Sequence, residues 1–502
     1  MRVIQGEADR GPIISISITL GALAVLTLTT LMGLPSTEVA ALVTVTIVGA
    51  LGYRILLQWH ALIALMLLVI LFVPIKRYRM PVELPFELEP YRVVVALVAA
   101  AWLTSLLIDP RVRLRLTGFE GPLFLVAGSA VGSVLVNDAR IKALDVEAKV
   151  VKELTFLLSF FLVVYLIVSV TRSQRALRFL IELMVISAAV ISVLAVIEAR
   201  TGFNLFAHLS VLPFLEPDQQ LAIDPRGGRF RAIGPAQHPI ALGAALVLFL
   251  PLAIYLARVR GQRRWWLAVV LLALGILAPF SRTSVVMLFV VGLVFLWLRP
   301  RETRRLWPAL LPALIVVHFA LPATIGGLKA SFFPKGGLIA DQSQSVGSRG
   351  QGRIADLSPG IDEFLQRPVL GQGFGTRVVD GENPNAQILD NQWLKSLLET
   401  GAVGAFALLW LFWRAIRRLA AVAKSDSSDR GWLAVALAAS IAAFAFGMFT
   451  YDAFAFIQAT FLLFILLAFA ALELGPSRVP ARSPDEGMTP RLGARALRAP
   501  GA

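Results

Sequence analysis

Apolar runs of about 16 to 23 residues recur along almost the whole chain, and nothing else in the sequence narrows the fold so sharply. About 20 residues in a helix are needed to cross the hydrocarbon of a bilayer, where every backbone polar group must be satisfied within the segment. Candidate spans fall near 13–34, 37–57, 61–76, 92–108, 119–136, 153–171, 176–198, 236–257, 265–280, 283–298, 307–325, 398–416, 431–449 and 453–472. The short ones, 61–76, 92–108, 265–280 and 283–298, are candidates for tilted, re-entrant or partial spans, which sets the range at 12–14. With 57% of 502 residues hydrophobic and 16% charged, the fold class is all-α: a polytopic integral membrane helical bundle.

The net charge of +15 does not mark a nucleic-acid binder, because the basic residues sit between spans and are not interleaved with aromatics on a soluble face. Arg111, Arg113 and Arg115 share one connection, Arg258, Arg260, Arg263 and Arg264 a second, Arg299, Arg301, Arg304 and Arg305 a third, and Arg414, Arg417 and Arg418 a fourth. The positive-inside rule makes all four cytoplasmic and places both termini there too. Lys76, Arg77 and Arg79 are the exception and would lie outside. The resulting organisation is a cytoplasmic N-terminus at 1–12, a membrane domain at 13–473 and a basic, disordered cytoplasmic tail at 474–502. MRVIQGEADRG lacks a cleavage-site pattern, so the first span is expected to remain as a signal anchor.

The chain has no cysteine, and His60, His208, His238 and His318 are scattered without helical ligand spacing, so neither a metal site nor a cofactor is expected. Two long connections stand on the outer side of this topology: about 201–237, containing IDPRGGRFRAIGPAQHP, and about 326–397, rich in Gly, Ser, Asp and Asn. Ile361, Phe364 and Leu365 lie at helical spacing in the second, predicting a short amphipathic helix on the membrane surface.

Arginines on the outer side need an anion or water to match them. They are Arg229 and Arg231 in GGRFRAIG, Arg282 in APFSRTSVV, and Arg349 and Arg353 in GSRGQGRIAD. Taken singly, each can snorkel to headgroups or pair with an acid. Taken together, guanidinium forks match phosphate oxygens bidentately and make a cradle for a diphosphate. Ser281 is placed to cap the helix behind Arg282, whose N-terminal amides would add to anion binding. GQGFG at 371–375 reads as a tight glycine turn, since no βαβ unit surrounds it. In LDNQWLKSLLETGAVG, Asp390 reads either as a helix cap or as a site carboxylate, with Asn391, Gln392 and the potential sugar-stacking ring of Trp393 beside it.

In order, RFRAIGPAQHPIALG, SRTS opening an apolar helix, R…PVLGQGFGT and LDNQWLKSLLETGAVG resemble the successive signatures of the O-antigen ligase and polymerase superfamily of bacterial membrane glycosyltransferases, over about 229–404. The resemblance implies a metal-independent, cofactor-free transferase of the bacterial cytoplasmic membrane. Its donor would be a polyprenyl-diphosphate-linked glycan, its acceptor a glycan or lipid, with a flippase and chain-length proteins as further partners. It assigns diphosphate handling to Arg231, Arg282 and Arg353; beside them, Arg229, Arg349, His238, Asn391, Gln392 and Trp393 are the further substrate-binding candidates in this sequence. Asp390 stands where lipopolysaccharide ligases usually carry a histidine, which looks more like the polymerase branch and makes it the expected general base. A ligase acting on finished glycan is the nearest alternative. A transporter of the same lipid-linked sugar is the other, but acids within spans are few (Glu153, Glu182 and Glu198) and no repeated halves are evident.

Overall fold

The computed structural model describes residues 58–80, 88–212, 215–218, 230–305, 308, 310–321, 326–327, 329, 332–333, 357–377 and 389–475. The predicted spans 13–34 and 37–57, the N-terminus and the tail from 476 lie outside these residues, as do Arg229, Arg349 and Arg353. Each later predicted span coincides with a helix: α1 (Trp59–Phe72), α2 (Pro90–Ile108), α3 (Glu120–Val136), α5 (Glu147–Val170), α6 (Gln174–Thr201), α7 (Pro239–Arg260), α8 (Arg263–Leu277), α9 (Arg282–Leu298), α11 (Leu310–Ala320), α13 (Gln392–Ser425), α14 (Asp429–Gly447) and α15 (Ile457–Leu474). Short helices α4 (Asp138–Ala143), α10 (Pro300–Arg305) and α12 (Leu357–Gln366) complete the order. A two-stranded ribbon pairs β1 (Tyr78–Arg79) with β2 (Glu216–Pro217) antiparallel. Among the described residues, seven helices are long and apolar enough to cross a membrane. The 11 described residues of α11 extend only about 16 Å, roughly half the hydrocarbon thickness.

The bundle is layered around α7, α14 and α15, which are apolar on every side and largely buried, whereas α2 is mostly exposed. Lipid is as apolar as leucine, so these helices are joined by close packing and occasional polar links. The small residues of AVALAASIAAFAFG in α14 allow that approach, and the Ser440 hydroxyl donates to the Leu248 carbonyl of α7 at 2.7 Å.

Antiparallel succession of the helices gathers the four arginine clusters at one end. Arg414 and Arg418 donate to the carbonyl of Gly118, Arg172 to that of Arg111 and Arg299 to that of Asp426, while Arg258 and Arg299 both lie over the Trp432 ring. The exceptional cluster stands at the opposite end, where its charges have local partners. Arg77 is buried and donates to the carbonyls of Gly234 and Ala236, the Lys76 amide donates to Glu89, and Arg79 pairs with Glu216.

One helix is broken where the sequence shows GAVG. Within α13, Gly401 has φ 67° and ψ −166°, so the helical ladder stops and restarts. The segment before the GQGFG turn fills the gap: Gln372 N–H donates to Leu398 O (2.8 Å), and Ala402 and Val403 N–H donate to Pro368 O and Val369 O (2.8 and 3.3 Å). The Ser133 hydroxyl of α3 takes the Glu399 carbonyl at 2.5 Å. Helix α12 precedes this clasp as predicted, with Ile361 and Leu365 exposed and Phe364 packed on Leu389, Leu394 and Leu398.

Candidate functional site

The end of the bundle opposite the arginine clusters carries the described candidate residues. Leading into α7, the run Phe230–His238 is held by Glu198 near the end of α6. This buried carboxylate accepts from Asn204 Nδ2 (2.9 Å), Ile233 N–H (3.1 Å) and Gly234 N–H (2.8 Å), so its lone pairs are well used. Gly234 adopts φ 55°, and Arg77 closes the same turn from the other side. The turn fixes Arg231, whose Nε donates to the Pro279 carbonyl at 3.2 Å, beside an Ala232 N–H to Ala278 O bond of 3.4 Å.

That contact brings Arg231 against the turn between α8 and α9, three residues before Arg282. Phe280 in this turn has φ 55°, a conformation bulky residues rarely adopt and one that clusters at functional sites. The first turns of α7 and α9 touch. A Cβ at Gly243 would overlap the Ser284 hydroxyl, so glycine is what lets these two N-termini converge. Ser281 occupies the N-cap position of α9 but, contrary to expectation, makes no capping hydrogen bond; its hydroxyl is buried without a partner among the described residues. The convergence sets the Arg231 guanidinium beside two helix N-termini, with Arg282 opening α9 there, an arrangement that favours an anion.

His238 is the N-cap of α7, its Nδ1 accepting from Ile240 N–H at 3.1 Å, which assigns the proton of the neutral ring to Nε2. Burial first, and the positive charge of Arg231 second, lower its pKa from 6.5 to about 4. The imidazole is therefore a neutral donor at pH 7, stacked on Phe456 with ring centroids 5.9 Å apart.

Phe456 belongs to the connection between α14 and α15, which ties the two signature regions together. Gln237 Oε1 accepts from Ile457 N–H (2.9 Å) and Gln392 Oε1 from Phe454 N–H (2.8 Å), so one glutamine from each region grips this connection by its backbone. Gln392 is buried, and its backbone N–H reaches the carbonyls of Met448 and Tyr451. Helix α13 begins at Gln392, and its cap is Asn391, one residue after Asp390, with the Asn391 side chain accepting from Leu394 N–H at 3.1 Å. Asp390 is thus relieved of capping and sits half-buried just before the cap. Trp393 donates its indole N–H to Ala445 O (2.9 Å) and packs on Phe412 and Phe449, joining α13 to α14.

Sequence reasoning missed a charged layer just inside the bundle. Lys395 pairs with Asp452 at 2.9 Å, both largely buried, and Glu399 follows one turn later with its Oε1 unpartnered among the described residues. Lys395 and Glu399, with Glu153 of α5, line a cavity of about 50 Å³ between α3, α5, α13 and α15, large enough for bound water. Arg377 pairs with Glu363, and Lys149 donates to the Arg377 carbonyl, which sews the GQGFG loop to α5. The available signal was Lys395, Glu399 and Asp452 as isolated charges bordering apolar runs, the pattern that marks intramembrane function.

Arg231, His238 and the start of α9 at Arg282 are therefore brought together, and the α14–α15 connection links them to Asn391 and Gln392. A family model described as O-antigen ligase matches residues 267–409. No curated protein matches the sequence. The matched stretch runs from α8 through the restart of α13, taking in Arg282, the GQGFG turn and the Asp390 cluster, while the Arg231 turn just before it packs directly against it. The chain is all-α and built of membrane-length helices, and its 267–409 stretch is similar to the O-antigen ligase family, which supports the O-antigen ligase and polymerase superfamily.

Proposed function

We propose that the protein polymerises polyprenyl-diphosphate-linked oligosaccharide repeat units on the extracytoplasmic face of the bacterial cytoplasmic membrane, with both termini inside. The observation that carries this reading is the junction of Arg231, the neutral His238 and the N-termini of α7 and α9. Such a junction suits the diphosphate of the donor, and Arg353, outside the described residues, is proposed to complete it with Arg229 and Arg349. In the reaction an acceptor hydroxyl attacks C1 from the face opposite the diphosphate, the C1–O bond breaks with its electron pair leaving on the diphosphate, and C1 inverts. Asp390 takes the hydroxyl proton. The arginines neutralise the leaving charge in the role that a metal fills in other transferases. Asn391, Gln392 and Trp393 shape the neighbouring wall, and their internal bonds make them positioning groups for the sugar-binding side.

The test is turnover of purified protein with lipid-linked repeat units. Arg282→Lys keeps the charge but loses the bidentate fork, and turnover should fall by about tenfold or more. Unchanged turnover would remove Arg282 from the diphosphate site. The glycan that accumulates on gene deletion separates the branches: single lipid-linked repeats accord with a polymerase, complete chains with a ligase.

A further inference from the structure

A second cavity, of about 530 Å³, opens at the arginine-rich end, far along the bundle from the candidate site. Two helix N-termini converge on it: Thr171–Gln174 at the start of α6 and Ser428–Arg430 at the start of α14. Ser173 and Ser428 cap these helices by accepting from Ala176 and Arg430 N–H, and the remaining first-turn amides add their partial positive charge. Arg178 of α6 lines the wall, half-buried, and no described residue accepts from its guanidinium. Tyr255 of α7 lines it too; the residue is 3% exposed, and no described residue hydrogen-bonds its hydroxyl. Two acids are present. Glu473 is neutralised by Arg430, at 3.1 Å from Nε, and Asp429 is exposed to water. Leu177, Leu433 and Leu472 make an apolar wall beside this polar one.

We propose that this cavity binds the phosphate headgroup of an anionic membrane lipid, with Arg178 and the Tyr255 hydroxyl as its direct ligands. A cationic floor at the ends of membrane helices, the hydroxyl of a buried tyrosine with no hydrogen bond among the described residues and an adjoining leucine wall match a phosphodiester that continues into a glycerol and acyl chains. A free phosphate has no use for the apolar wall. The proposal is independent of the reaction at the other end.

The experiment uses the full chain, stripped of lipid in detergent, with native mass spectrometry during titration by phosphatidylglycerol, phosphatidylcholine or inorganic phosphate. Phosphatidylglycerol should occupy one saturable site that phosphatidylcholine does not fill. Arg178→Gln should weaken it by about tenfold, as for loss of a charge-assisted contact, and Tyr255→Phe by a smaller factor. Arg178 is half-buried and has no partner among the described residues, so lipid-free melting of Arg178→Gln should match wild type; Tyr255→Phe provides a second variant of nearly unchanged volume. Equal phosphatidylglycerol binding by wild type and both variants, or equal binding of both lipids, overturns the site. Saturable binding of inorganic phosphate without phosphatidylglycerol overturns the lipid assignment.

Discussion

Replacing Gly401 by alanine tests the clasp between the GQGFG segment and the broken helix. At φ 67° and ψ −166° a residue with a Cβ is strained by roughly 1–3 kcal/mol. The new methyl would also overlap the Val369 carbonyl, which is backbone and cannot rotate away. Relief requires the Pro368–Gln372 segment to withdraw, and that segment contributes three of the four hydrogen bonds at the break. Each carries a net value of about 1 kcal/mol, so strain together with two lost bonds gives about 3–5 kcal/mol. Chemical unfolding in detergent, followed by tryptophan fluorescence, should show this loss, and trypsin should cut faster after Arg377, which is only 7% exposed in the intact clasp. Gly128→Ala is the control: it lies on α3 with nothing within 4 Å of a built Cβ, so it should be neutral or stabilising by up to about 1 kcal/mol. If Gly401→Ala unfolds within about 1 kcal/mol of wild type and Arg377 stays protected, the clasp does not hold the loop and the reasoning fails.

Breaking the Lys395–Asp452 pair by Lys395→Met should cost about 3–5 kcal/mol by stranding a buried carboxylate, and adding Asp452→Leu should recover most of it; additive losses in the double variant would refute the pairing. Asn391→Ala should cost about 1 kcal/mol in stability through the lost cap, whereas Asp390→Asn should fold normally and lose turnover by about 10²-fold, so full activity of Asp390→Asn would place the base elsewhere. His238 has a folded pKa of about 4 against 6.5 unfolded, so the unfolded chain takes up the proton first; its contribution is complete above about pH 6.5 and declines as pH falls towards 4, by at most about 3 kcal/mol. Unfolding of His238→Asn compared with wild type across that window checks this, and identical pH slopes would contradict it.

The all-α membrane character, the helix positions from 61 onward and the amphipathic helix over Leu357–Gln366 were legible in the sequence because each rests on local quantities: the length of an apolar run, or a spacing of three and four residues along one chain segment. The resemblance to the O-antigen ligase family was legible for a related reason, in that short motifs within 267–409 follow one another in order. What the motifs do for one another was not legible. That GQGFG fills the break at Gly401, that Gln237 and Gln392 grip one connection, and that Asn391 caps α13 in place of Asp390 depend on which backbone groups are left unsatisfied after the helices have packed. The Lys395, Asp452, Glu399 and Glu153 layer was hidden likewise, because these charges come from two helices and one connection and are tolerable near hydrocarbon only once they face each other. Apolar patterning is a property of a segment and can be read one helix at a time; pairing of buried polar groups is a property of the assembled bundle, and only tertiary structure decides it.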